Sequence, residues 1–272
     1  MSATCFVHAA LSAAAVGALL SMLRRAGPRA IGLAAAIPIN SVPALFWLSM
    51  ERGSAYASSA VLGTLWGTGL TVLLGATFAR VSSALHPAAA AMAAWLAVGA
   101  LALATSSLPS LPTVAAALTL CAILLGRAAL PPAPACDSPR RGGRSGPLLS
   151  MAAAGAMSLL VSALSTVSGP QLCGLVAAVP VVGMFALNAG YRQGGAPLML
   201  RVLHGYLDGM AAKAAFLGAL GCAWALGASA WGWASGLACA ALTLVAQHRL
   251  AQKPPARSTH RLAPLPECKS IV

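Results

Sequence analysis

The chain predicts an all-α polytopic membrane protein of about nine transmembrane helices, set out as two inverted four-helix repeats joined by a linker helix. Three observations lead there: an apolar composition outside the soluble range, cations that collect on one side when the apolar runs are threaded back and forth, and an apolar segment that is written twice. Of 272 residues 59% are hydrophobic and 8% charged, with mean hydropathy +0.82, whereas soluble domains carry roughly 25% charged residues. The apolar runs are continuous and rich in Ala and Leu, while a membrane strand would alternate with period two.

Runs of about 20 apolar residues, enough for a helix to cross a bilayer, fall at 3–23, 31–50, 60–79, 88–106, 113–130, 148–167, 171–191, 199–222 and 229–247. The first follows no basic n-region, so it reads as a retained span rather than a secretory signal. The organisation expected is a first four-helix repeat over 1–106, a linker helix and loop over 107–147, a second, inverted repeat over 148–247 and a tail over 248–272. Pro, Arg and Gly dominate 131–147, which marks a connector, and the tail carries no pattern for packing.

Threading these spans places Arg24, Arg25, Arg29, Arg80, Arg127, Arg140, Arg141, Arg144, Arg192, Arg201 and the tail cations on one side, and Arg52 with Glu51 on the other. Cytoplasmic loops are the basic ones, so the N-terminus is expected outside and the C-terminus in the cytoplasm. The formal charge of +13 then reflects orientation and not nucleic-acid binding, since no nucleic-acid motif or aromatic interleaving accompanies it.

GPRAIGLAAAIP, from Gly27, returns as GPQLCGLVAAVP, from Gly169, at an offset of 142. At that offset Gly27, Pro28, Gly32, Pro38, Gly53, Gly63 and Gly67 all meet the same residue type again. Each Gly or Pro match fixes a backbone requirement, which Ala and Leu matches do not. Five spans precede the second copy, an odd number, so the copies should face opposite ways. The inner GP turn keeps Arg24, Arg25 and Arg29 while VSGPQ has no cation, in agreement with inversion. Inverted repeats around a linker are a common plan among secondary transporters.

The stretch from Ile31 to Gly67, with a Gly-Leu helix carrying Pro38, then Glu51, Arg52 and Gly53, then a further apolar helix, resembles the GlpM-type small bacterial inner-membrane proteins. The resemblance covers the first half best, because Gln193, Gly194 and Gly195 stand where a second Glu-Arg-Gly would be. It implies a bacterial inner (cytoplasmic) membrane, a fused two-unit form, and a loose association with exopolysaccharide production. It supplies no substrate or reacting residue.

Ionisable groups inside spans are costly and mark pathways or internal pairs. Arg201, His204 and Asp208 fall at i, i+3 and i+7 on one helix face, with Lys213 deeper. Their equivalents for Asp208 and Lys213 in the first copy are Trp66 and Thr71, so this charged face belongs to one half only. Two readings follow: Asp208 carries a proton or binds a cation, with His204 as relay and Lys213 as counter-charge, or Asp208 and Lys213 form an internal pair that fixes register. Pro38 and Pro180 should break their helices and free the carbonyls of Ala34 and Val176, and with Asn40, Ser41 and Asn188 nearby such breaks can supply ligands to a substrate. Packing kinks are the alternative.

Four acids in all, no phosphate-cradling loop and no His-Glu-x-x-His argue against an enzyme or an ATP-driven pump. Seven scattered cysteines lack metal spacing and read as small packers, so neither a cofactor nor a metal is expected. The expected partners are the lipid bilayer and a small-molecule or lipid-linked substrate. The sequence thus points to a small transporter or flippase-like permease, with an accessory protein of envelope polysaccharide or lipid production as the alternative.

Overall fold

The structure, a computed structural model, describes residues 41–82, 84–105, 111–131 and 166–252, together with scattered positions before 41 and between 152 and 164. Most of the spans expected at 3–23 and 148–167, the connector after Pro131, most of the tail, and Pro38 and Asn40 lie outside the described residues. Among those residues all regular structure is helical, and no strand occurs. The helices are α1 (Ser41–Arg52), α2 (Ser54–Val81), α3 (Pro87–Ala104), α4 (Pro112–Ala129), α5 (Pro170–Ala177), α6 (Val181–Ala225) and α7 (Ser229–Gln252).

The expected span at 171–191 is broken. Its helix α5 ends after Ala177, and α6 starts only at Val181, behind Pro180. The proline has no N–H to give and marks the first turn of α6. Within α6, Gly194 and Gly195 leave helical geometry, so it consists of arms 181–193 and 196–225. Gly195 adopts φ 66°, ψ −161°, and Gly53, between α1 and α2, adopts φ 83°, ψ 166°. This region is open essentially to glycine alone. The same backbone turn therefore stands at both members of one Gly/Gly match. Gly227 (φ 76°) closes α6, with the Ala228 N–H donating to the Ala223 carbonyl and that of Gly227 to the Trp224 carbonyl.

Glycine contacts recur at the offset as well. A Cβ on Gly174 would strike the Ala60 carbonyl, and one on Gly32 would strike the Val202 carbonyl. Gly63 faces the Gln171 backbone as Gly205 faces that of Arg29, and Gly67 faces Leu175 and Ala178 as Gly209 faces Leu33 and Ala36. In each set the two numbers rise together, so α5 runs parallel to α2, and the segment from Arg29 runs parallel to the arm 196–225. Gly75 meets Leu203 and Gly221 meets Val61. There one number rises as the other falls, so α2 and the arm 196–225 are antiparallel. Residues 142 apart thus occupy equivalent places in helices of opposite direction. Small residues at these crossings let backbones touch, which makes van der Waals packing rather than hydrophobic exclusion the source of cohesion in an apolar solvent.

Two buried clusters follow the same plan. One gathers Leu45, Val61, Leu65, Cys173, Phe216 and Leu220; the other gathers Leu187, Leu203, Leu207, Tyr206, Leu74 and Phe78. Helix α4 touches both, through Ala115 and Ile123. Its outer side exposes Leu120, Leu124 and Leu125, and α3 and α7 likewise expose Met92, Leu96, Trp231 and Leu242. Large apolar side chains facing outward on three helices suit lipid contact, since in water such surface would drive association.

By length and composition α2 and α4 are each able to cross a membrane unaided. Among the described residues these two are the helices that meet that measure, so the nine spans the sequence predicts are not reached there: most of those at 3–23 and 148–167 and the first half of that at 31–50 lie outside the described residues, α5 and the arm 181–193 are short, and the arm 196–225 carries Arg201, Asp208 and Lys213. Of the cysteines, Cys173 is a buried packer as expected, whereas Cys121 and Cys222 are exposed.

Candidate functional site

The middle of the bundle holds a polar seam inside an apolar core. Ser41, Thr64, Thr68, Thr71 and Lys213 are all buried, and Tyr206 lies in the core with them. The seam forms because α5 stops short and leaves carbonyls that its own helix cannot satisfy. Ser41, at the start of α1, donates to the Ala177 carbonyl at 3.0 Å. Thr71 donates to the Ala178 carbonyl at 3.2 Å; Thr64 adds a bond of 3.0 Å to the Gly174 carbonyl, which already accepts the Ala178 N–H. The negative end of α5 is therefore capped by hydroxyls from two other helices. At the other side of the break, the arm 181–193 has no side-chain cap on its first turn.

Tyr206 lies against that uncapped turn. A Cβ on Gly183 would come within 2.6 Å of the Tyr206 Oη, which is buried and finds no hydrogen-bond partner among the described residues. A buried hydroxyl without a partner costs about 1–3 kcal/mol. Tyr206, Gly209 and Lys213 follow at i, i+3 and i+7, one helix face. Gly209 on that face meets Ala36, so Lys213 stands one turn further along the same crossing. Gly190 against Met199 and Gly183 against Tyr206 set the register of the two arms, which brings the uncapped first turn of the arm 181–193 level with Tyr206 to Asp208. Lys213 is 6% exposed and has no carboxylate partner among the described residues.

The pairing of Asp208 with Lys213 is corrected by the structure. The Asp208 carboxylate takes Arg29 Nη2 at 2.6 Å and Arg127 Nη2 at 2.7 Å. Arg29 also donates from Nε at 3.2 Å. With its amide turned to suit both neighbours, Gln247 donates to the Asp208 carbonyl at 3.2 Å and accepts from Arg127 at 3.1 Å. Asp208 prefers the arginines for two reasons: helical side chains lean toward the N-terminal turn, which is where Arg29 packs beside Gly205, and α4 delivers Arg127 at its last turn. The cluster joins the segment at Arg29, α4, α6 and α7. His204 turns to the same end, and its Nε2–H donates to the Pro131 carbonyl at 3.0 Å. Arg201 is half-buried one turn earlier, and Asn188 is exposed, outside the buried seam.

A cavity of about 170 Å³ lies beside the seam, between α2, α3 and the break. Leu70, Leu74, Trp95, Val98 and Gly99 line it, Thr71 gives it one polar edge, and Val179 and Pro180 close the end next to the uncapped turn. Among the described residues no group of three His, Cys, Asp or Glu side chains gathers as a metal site would require.

The sequence reading did not single out Tyr206, Thr64 or Thr68, or Arg29 and Arg127 as partners of Asp208. Thr64, Thr68 and Thr71 at i, i+4 and i+7 of an Ala/Leu-rich helix were the available signal for the seam. No family model, curated protein or solved structure matches the chain.

Proposed function

We propose that the protein is a small secondary transporter or flippase-like permease of the bacterial inner membrane, with its pathway between two inverted four-helix units. One observation carries this reading: two equivalent helix hairpins of opposite direction enclose a buried polar seam where a helix is broken. Irregular backbone at membrane depth is tolerated where it is buried in protein or lines a cavity, and such breaks form the sites of many inverted-repeat transporters. In this reading the chain crosses nine times, with the N-terminus outside and the arginine-bearing end cytoplasmic. The Arg80 bond to Ala129 and the Asp208 cluster put Arg29, Arg80 and Arg127 at one end of the bundle, which supports that orientation. Asp208 then serves as a latch that draws α4, α6 and α7 together on the cytoplasmic side, and Lys213 serves the pathway. The GlpM-like run from Ile31 to Gly67 agrees with the same location.

The second reading is a non-transporting accessory protein for envelope polysaccharide or lipid production. The hydroxyl caps on Ala177 and Ala178 favour it, because they satisfy a break that a static scaffold would also have to satisfy. Uptake of a panel of small organic anions, cations and sugars into proteoliposomes separates the two. Transport predicts flux of one class that Lys213→Ala abolishes and Asp208→Asn alters. Equal flux in both variants and wild type would sink the charged-face mechanism, and no flux of any class favours the accessory reading.

A further inference from the structure

Helix α3 is held near its two ends and stands open between them. Towards its start, Ala90 and Ala94 are fully buried in the cluster that contains Phe78. Just past its end, Thr105 accepts the Trp66 indole N–H at 3.0 Å. Between these anchors no residue from Trp95 to Ala104 is buried, and a Cβ on Gly99 would meet nothing within 4 Å. The second half of α3 therefore stands off α2, and the cavity of about 170 Å³ occupies the gap. Leu70 and Leu74 of α2 and Val98 and Ala102 of α3 wall it, and Val179 and Pro180 of the break form its floor.

The chemistry of this space is that of hydrocarbon. Thr71 brings a hydroxyl to its edge, but that proton is already shared between the Gly67 carbonyl at 2.8 Å and the Ala178 carbonyl at 3.2 Å. The backbone of the floor is engaged too: the Val179 N–H donates to the Val176 carbonyl, and the Pro180 carbonyl accepts from Met184. A buried water wants about two to four polar partners, and apolar cavities of about 150 Å³ stay dry and take molecules of benzene size. The position fits a bilayer. In α2, which is long and apolar enough to cross one, Gly67 lies about 20 Å from the helix start at Ser54 and Leu74 about 10 Å from its end at Val81, at 1.5 Å per residue.

The cavity also has a way in. Trp95 lines it and is 38% exposed, and Met92, Leu96 and Leu103 of the same helix face outward. The outward apolar surface of α3 is thus continuous with the cavity, and in a bilayer that surface meets acyl chains. An empty space leaves its lining without dispersion partners, so a chain is drawn in by packing, with no need of hydrophobic exclusion.

We propose that an acyl chain of a bilayer phospholipid enters sideways between α2 and α3 and packs against the break at Val179 and Pro180. The chain completes a break whose carbonyl side is already closed by Ser41 and Thr71. This site goes beyond the transport reading and does not depend on it, because an accessory protein would carry it equally.

The probe is phosphatidylcholine with a photoactivatable diazirine at the end of one acyl chain, in proteoliposomes of the full-length protein, with the labelled residues identified by mass spectrometry. Wild type should carry label at Val176 and Val179 on the floor as well as at the outward Leu96. Gly99→Leu, whose side chain enters open space, should reduce the floor label to background and keep the label at Leu96, which reports that the protein is folded and inserted. If Gly99→Leu loses both, Ala102→Leu fills the cavity from the same wall and should give the same selective loss. Leu70→Ala widens the cavity and should raise the floor label. Label confined to outward residues in wild type, or floor label that persists when the cavity is filled, overturns the site.

Discussion

The hairpin of α1 and α2 and the hairpin of the two α6 arms are the same structure twice, and they differ where chemistry would need them to differ. Agreement lies in the backbone: the Gly53 and Gly195 turns, and the crossings at Gly174 and Gly32. Divergence lies in the polar side chains of equivalent positions. Thr71 caps a carbonyl while Lys213 brings a charge with no carboxylate partner among the described residues, and Thr64 bonds a carbonyl while the Tyr206 hydroxyl finds no partner among them. One hairpin is electrically finished and the other is not. The lesson is that two hairpins can share turns and crossings while the side chains at equivalent positions differ in charge.

The frame is where the largest effects should fall. Valine at Gly174 or at Gly32 would push into a backbone carbonyl of the facing helix. Overpacking of a tight core costs about 1–3 kcal/mol and sometimes more, and rigid backbone on both sides puts these two at about 3 kcal/mol or beyond. Denaturant unfolding in mixed micelles should show Gly174→Val and Gly32→Val nearly equal. A tolerant member would break the equivalence of the two crossings. The turns should come next. Gly53→Ala and Gly195→Ala each force a side chain into a region that costs about 1–3 kcal/mol. Similar losses are expected at the two turns, with Gly195→Ala the larger if Pro197, 3.7 Å from the new Cβ, cannot yield.

Much of this frame was legible in the residues. The offset of 142, carried by Gly and Pro, marked positions that the structure uses for turns and crossings, because glycine contacts are set by backbone and need no neighbour's side chain to interpret. Helix existence was equally legible from the apolar runs. The breaks were less so: Pro180 announced one, but that it ends α5 after Ala177 depends on Ser41 and Thr71 arriving from other helices. The partner of Asp208 was illegible. Lys213, five residues away, is the nearest opposite charge along the chain, yet Arg29 and Arg127 come from 179 and 81 residues away. Sequence spacing ranks partners on one helix; only the fold ranks those on different ones.

The smallest effect offers the finest test of the comparison. Trp66 and Asp208 are equivalent positions, and so are Thr105 and Gln247, each at the same offset. In the first copy the Trp66 indole N–H donates to Thr105 at 3.0 Å. In the second, Gln247 donates to the Asp208 backbone carbonyl while the carboxylate binds two arginines. The same clasp between a long helix and the last helix of its unit is thus neutral in one copy and ionic in the other. Trp66→Phe should cost about 1 kcal/mol, the net worth of one neutral hydrogen bond. Asp208→Asn should cost a similar amount, because the exposure of Arg29 and Arg127 brings their pairs toward the surface range of about 0–1 kcal/mol each. Salt tells the two clasps apart. At 1 M ionic strength the screening length falls to about 3 Å, so the Asp208→Asn penalty should shrink while the Trp66→Phe penalty holds. Unfolding measured at low and high salt for both variants checks this, and a salt-independent Asp208→Asn penalty would mean that the second clasp is held by Gln247 rather than by charge.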